Sequence, residues 1–188
     1  MCENSSLFTE LYNSLQNSDK TYYIFDISNC PSTSSDNLIA QYIDGDGSGS
    51  IYLSSESISN IEASIYNTIE ELFHAFQSET EYTEGEVNRE LEASVFLLAV
   101  NIEGEFIGPA PRSLDDEVMN YYSTAIFENY NRSNRILDFS GVEPNPISAT
   151  VFSQQTQIFI LNHKKMGNNR HSYMTESIGV PSALLRFK

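Results

Sequence analysis

The run Thr68-Ile69-Glu70-Glu71-Leu72-Phe73-His74-Ala75-Phe76-Gln77 places a carboxylate and an imidazole four residues apart, at Glu70 and His74. On a helix these side chains leave one face about one turn apart, which is the spacing two ligands need to share a metal ion. Glu71 stands beside them, displaced by about 100°. Sixteen and eighteen residues beyond His74, Glu90-Leu91-Glu92-Ala93 offers two more carboxylates. Two helices joined by a short loop can pack with these groups facing each other, which makes a candidate three-ligand site with a spare carboxylate. Glu90 and Glu92 point about 200° apart, so only one can face His74. Glu90 follows Val87 by three and borders Leu91 and Ser94 at the edge of an apolar stripe, whereas Glu92 reads as solvated. A solvated acidic face carrying one His would produce the same local pattern.

The elements that would position these residues are legible from periodicity. Ile58, Ile61, Ile65, Ile69, Leu72, Phe73 and Phe76 step by three and four, which predicts a long helix over 57–79 with a wide buried stripe. Val87, Leu91, Val95, Leu98 and Ile102 predict a second helix over about 86–102. Ser113 is a plausible N-cap for a third over 113–131, with Asp115 and Asp116 in its first turn, where the helix dipole favours negative charge. Leu7, Leu11 and Leu15 predict a short amphipathic helix over 5–17. Thr21-Tyr22-Tyr23-Ile24-Phe25-Asp26-Ile27-Ser28 and the segment 50–54 read as strands, the latter after a Gly-rich loop. Beyond Asn131 the pattern weakens, and 152–161 fits helix or strand.

The 70–77 segment resembles the HExxH active-site helix of the zincin metallopeptidases, in the form H-E-L-F-H-A-Y-Q, and Arg89-Glu90-Leu91-Glu92-Ala93 resembles the ExEA element of the glutamate zincins. The resemblance spans roughly residues 20–130 and includes the segment 50–54 as a preceding edge strand. It implies Glu71 as general base, His74 as second metal ligand and Glu90 as third, with zinc or another divalent metal as cofactor. The departure is Glu70, which stands where the family has its first ligand His. A Glu/His/Glu set puts two anions on the ion, which lowers its Lewis acidity and favours harder metals. The expectation is therefore an α+β, zincin-like domain over 1–188. A small sheet packs on the active-site helix, and a mainly helical second half forms the lower side of a cleft. Its function is that of a metallopeptidase homologue with a degenerate metal site and weakened or lost activity. The alternative is a non-catalytic module that binds a peptide or protein on the same fold.

Composition bounds the partners. Lys and Arg number 10 against 26 Asp and Glu, a formal charge of -16, which repels nucleic-acid phosphates and anionic membranes. The imbalance is uneven: residues 132–188 hold 7 basic and 3 acidic side chains, and a tail folding back across an acidic body is the simplest reading. No apolar run approaches the roughly 18 residues of a transmembrane helix. The N-terminal stretch shows no secretory signal, which leaves the cytoplasm as the default, although Cys2 would also suit a processed lipoprotein. Cys2 and Cys30 form no CxxC and support no cysteine metal site.

Asp44-Gly45-Asp46-Gly47-Ser48-Gly49-Ser50-Ile51 matches the first eight positions of an EF-hand loop, but the closing Glu is replaced by Ser55. Calcium is not expected there, and an inter-strand loop is favoured. His171 or Tyr173 could reach a cleft and polarise a carbonyl, but a solvated tail around 162–173 is the favoured reading.

Overall fold

The structure, a computed structural model, describes residues 5–26, 40–80, 85–104, 116–131, 136–137, 148–165 and 182–187. It is a mixed α+β fold. Helix α1 (Ser6–Gln16) starts at Ser5, whose Oγ accepts the Phe8 N–H, and buries Leu7, Phe8, Leu11 and Leu15 as the fourfold spacing requires. Strands β1 (Thr21–Asp26), β2 (Ala40–Gly45) and β3 (Ser48–Leu53) form a sheet in the order β1-β3-β2. β1 runs parallel to β3, and β2 runs antiparallel to it.

The segment 50–54 is therefore not an edge strand. Its residues 50–53 lie in the central strand, with Ile51 and Leu53 buried, and the edge beside the site helix is β2. Alternating apolar residues around one tyrosine, Ile51-Tyr52-Leu53, do not report which neighbours a strand acquires, so edge and centre are indistinguishable in the sequence. The Gly-rich stretch is the turn of the β2–β3 hairpin, with Asp46 and Gly47 as its two turn residues and Gly47 at φ 69. That left-handed conformation is what an Asp-Gly two-residue turn demands. Asp44 lies in the strand, where its carboxylate accepts from Lys20 Nζ at 2.5 Å, Tyr42 Oη at 2.9 Å and Ser78 Oγ at 2.9 Å.

The long helix is broken once. Helix α2 (Ser55–Ser59) ends before Asn60, which has extended backbone and accepts the Ala63 N–H to start α3 (Ile61–Glu79). A capping Asn competes well with helix continuation, and Ile58 and Ile61 are left exposed. The buried stripe therefore begins with Tyr66 and Ile69 and continues through Phe73 and Phe76.

Helix α4 (Glu86–Gly104) is the axis of the core, and residues 91–100 are all buried. It packs against α1, α3, α5 (Asp116–Asn129) and α6 (Ala149–Lys165). Two short strands, β4 (Tyr130–Asn131) and β5 (Ile136–Leu137), pair antiparallel beyond α5. The ambiguous segment 152–161 lies in the helix α6, which buries Val151, Phe152 and Phe159. The expected basic tail is thus in part a core element. Near the C-terminus, a 3-10 turn (Leu184–Arg186) is followed by Phe187, whose ring packs on Phe76 at 5.0 Å and Phe96 at 4.9 Å.

Two buried acids fasten the ends of this arrangement to α4. The Glu103 carboxylate accepts from Ser5 Oγ at 2.7 Å, Ser6 Oγ and the Leu7 N–H at 2.9 Å, which places an anion at the N-terminus of α1. Glu92 is fully buried rather than solvated, and its Oε2 accepts the N–H groups of Ala183 at 3.1 Å and Leu184 at 3.3 Å. A helix wheel assigns Glu92 to water because the segment that covers it lies about ninety residues further along the chain. No helix among the described residues is long and apolar enough to cross a membrane. Ser113, His171, Tyr173, Cys2 and Cys30 lie outside the described residues.

Candidate metal centre

Helix α3 carries Glu70, Glu71, His74 and Gln77 on its side nearest β2 and α4, while Ile69, Phe73 and Phe76 hold the helix to the core. Helix α4 brings Arg89 and Glu90 alongside. The result is a convergence of Glu70, His74 and Glu90, each offering one ligand atom, with all three atoms within 4.8 Å of one another. His74 Nε2 lies 3.7 Å from Glu90 Oε1. Ligand atoms around a divalent ion at about 2.0–2.2 Å stand about 3–4 Å apart. Side-chain adjustments of about an ångström or less would close the set.

The hydrogen bonding leaves the imidazole ready to coordinate. His74 Nδ1 lies 2.9 Å from Gln77 Oε1, and Gln77 Nε2 donates to the Arg89 carbonyl at 3.1 Å. With the amide so oriented, its oxygen can only accept from His74, so Nδ1 carries the proton. Nε2 is left facing the carboxylates, 3.7 Å from Glu90 Oε1.

The charges point the same way. Burial, and after it the neighbouring Glu90, push the Glu70 carboxyl up to about 7. Burial drives Glu71 well above the usual carboxylate range, and Glu70 and Glu90 add to this. The Tyr42 backbone N–H, which donates to the Glu71 carboxylate, and the Arg89 charge oppose the shift only in part. A divalent cation would discharge this repulsion and hold all the carboxylates ionised.

The residues fit a hard or borderline divalent ion: two carboxylate oxygens and one imidazole nitrogen suit manganese or iron better than a site with two imidazoles would. Arg89 does not bridge to the acids as an ion-pair partner would. Its guanidinium donates to the His74 carbonyl at 3.3 Å.

A pH dependence follows for the metal-free protein. Glu70 has a folded value of about 7 against an ordinary 4.5, so the folded state binds more protons than the unfolded state between those values. Stability is then greatest below about pH 4.5 as far as this group is concerned, and it is lost as pH rises through about 7. In chelator, urea midpoints should rise on acidification from pH 8 to pH 5, and Glu70→Gln should flatten that slope. A midpoint that falls over this interval, or an unchanged slope in the variant, would contradict the assignment.

Comparison with family models, with curated proteins and with solved structures gives no match.

Of the residues singled out from the sequence, Glu70, His74 and Glu90 come together, Glu71 lies beside them, and Glu92 faces away into the core. Gln77 and Tyr42 are not singled out by the metal-ligand spacing. Gln77 follows His74 by three, a helical neighbour spacing that can be read from sequence. The Tyr42 N–H carries no sequence signal, because any residue at that edge position would supply it.

Proposed function

We propose that this chain is a zincin-like metallopeptidase homologue that binds one divalent cation on Glu70, His74 and Glu90, with peptidase activity weakened or lost. The observation that carries the reading is the convergence of these three ligand atoms within 4.8 Å around an imidazole whose Nδ1 is already committed to Gln77. Support comes from the surroundings. The edge strand β2 lies along the site helix, Glu71 sits beside the ligands, and the third ligand comes from the next helix. The cation would supply Lewis acidity, lowered here by two anionic ligands. Glu71 would hold or release a proton beside it.

One observation favours the non-catalytic alternative, a module that binds a peptide or protein. The Glu71 carboxylate is tied to the Tyr42 N–H on β2. A strand edge is where an extended peptide makes its main-chain hydrogen bonds. An oxygen held there is not available to a water beside the cation.

The test is elemental analysis after loading with manganese or zinc and dialysis. The wild type should retain close to one equivalent, and His74→Ala less than about a tenth of that, since losing one of three ligands costs several orders of magnitude in affinity. Equal retention in both proteins would overturn the site. Cleavage of a peptide library by the loaded wild type and not by Glu71→Gln would support the peptidase, and bound metal without cleavage would support the binding module.

A further inference from the structure

The two ligand-bearing helices are cross-tied at the level of the site. From α3, the Gln77 side chain donates to the Arg89 carbonyl of α4 at 3.1 Å, and from α4 the Arg89 side chain donates back to the His74 carbonyl at 3.3 Å. Arg89 directly precedes the ligand Glu90. Gln77 is fully buried, so both ends of its amide must be satisfied within the protein. Its oxygen meets His74 Nδ1 at 2.9 Å. We propose that Gln77 is a positioning residue that sets which nitrogen of His74 is offered to a cation, by locking its own amide against the Arg89 carbonyl.

A carbonyl oxygen cannot donate, so the Arg89 carbonyl forces the Gln77 NH₂ group toward α4 and its oxygen toward His74. That oxygen in turn forces the imidazole proton onto Nδ1. Without Gln77, a proton on Nε2 would hydrogen-bond to Glu90, 3.7 Å away, and block the ligand position. An amide does this without adding a further negative charge to Glu70, Glu71 and Glu90. A carboxylate at 77 would accept from His74 but would turn a second acceptor toward the Arg89 carbonyl.

This inference builds on the cation site proposed above, and the experiment separates the two. The imidazole ¹⁵N shifts of His74 are recorded in metal-free wild type, Gln77→Met and Gln77→Glu, and manganese affinity is measured in the same proteins. The wild type should show the Nδ1–H tautomer. Gln77→Met should move the proton to Nε2 and weaken manganese binding by about 10- to 100-fold, the usual effect of losing a ligand's orienting partner. Gln77→Glu keeps an acceptor for Nδ1–H, so it should keep the tautomer. It also serves as the reference should Gln77→Met not fold. Wild-type tautomer and manganese affinity within twofold in Gln77→Met would overturn the proposal, as would a proton on Nε2 in Gln77→Glu. A tautomer shift in Gln77→Met with no manganese binding by the wild type would retain the orienting role of Gln77 and overturn the cation site instead.

Discussion

Glu70→His is expected to raise zinc affinity by about 100-fold or more while leaving manganese affinity level or lower, because it exchanges an oxygen ligand for a softer imidazole nitrogen. The substitution keeps the i, i+4 relation to His74 and completes the HExxH spacing on α3. It also removes one of three carboxylates crowded at the site. Two effects therefore act together: a better donor for zinc and less repulsion on Glu71, whose carboxyl burial, and after it Glu70, holds above the usual carboxylate range. Competition titration against a chromogenic chelator reads both metals. Zinc and manganese affinities that both stay within threefold of wild type would mean that residue 70 does not touch the ion. A rise in peptide hydrolysis in the zinc-loaded variant would further show that Glu70 is what weakens the chemistry.

Phe73→Ala is expected to cost about 3–5 kcal/mol, a large part of the roughly 5–15 kcal/mol that holds a domain folded. Phe73 is fully buried beside His74, and its ring stacks on Phe96 at 4.5 Å and on Phe187 at 6.0 Å. Removing it leaves a cavity where α3, α4 and the segment around Phe187 meet, three partners too constrained to collapse into it. For a chain of this size the melting temperature should fall by about 6–20 °C. Metal at a hundredfold excess over its dissociation constant returns about 2.7 kcal/mol, less than the loss. A urea titration showing less than about 1 kcal/mol would mean that the aromatic cluster is not the tie between the two helices.

Much of the helical framework was open to inspection. The leucines of α1 and the stripe of α3 obey the helical period because each buries one face against the core, and burial is the dominant favourable term, whereas the stripe expected of α4 is only part of a helix buried all round over 91–100. The i, i+4 pair Glu70 and His74 was likewise readable, since a single helix determines that geometry alone. The break at Asn60 was less legible, because an apolar period runs through it unaltered and only the capping preference of one side chain opposes continuation.

Local pattern determined, then, which residues form the helices and which side of α3 carries the candidate chemistry. Contacts between distant segments decided the rest: that β2 and not β3 is the edge beside the site, that Glu90 faces His74 while Glu92 takes the N–H groups of Ala183 and Leu184, and that the Gln77 amide meets the Arg89 carbonyl of α4. The physical reason is common to all three. Helical periodicity follows from backbone geometry within a few residues, whereas the fate of a buried polar group depends on which donor or acceptor the folded chain carries to it.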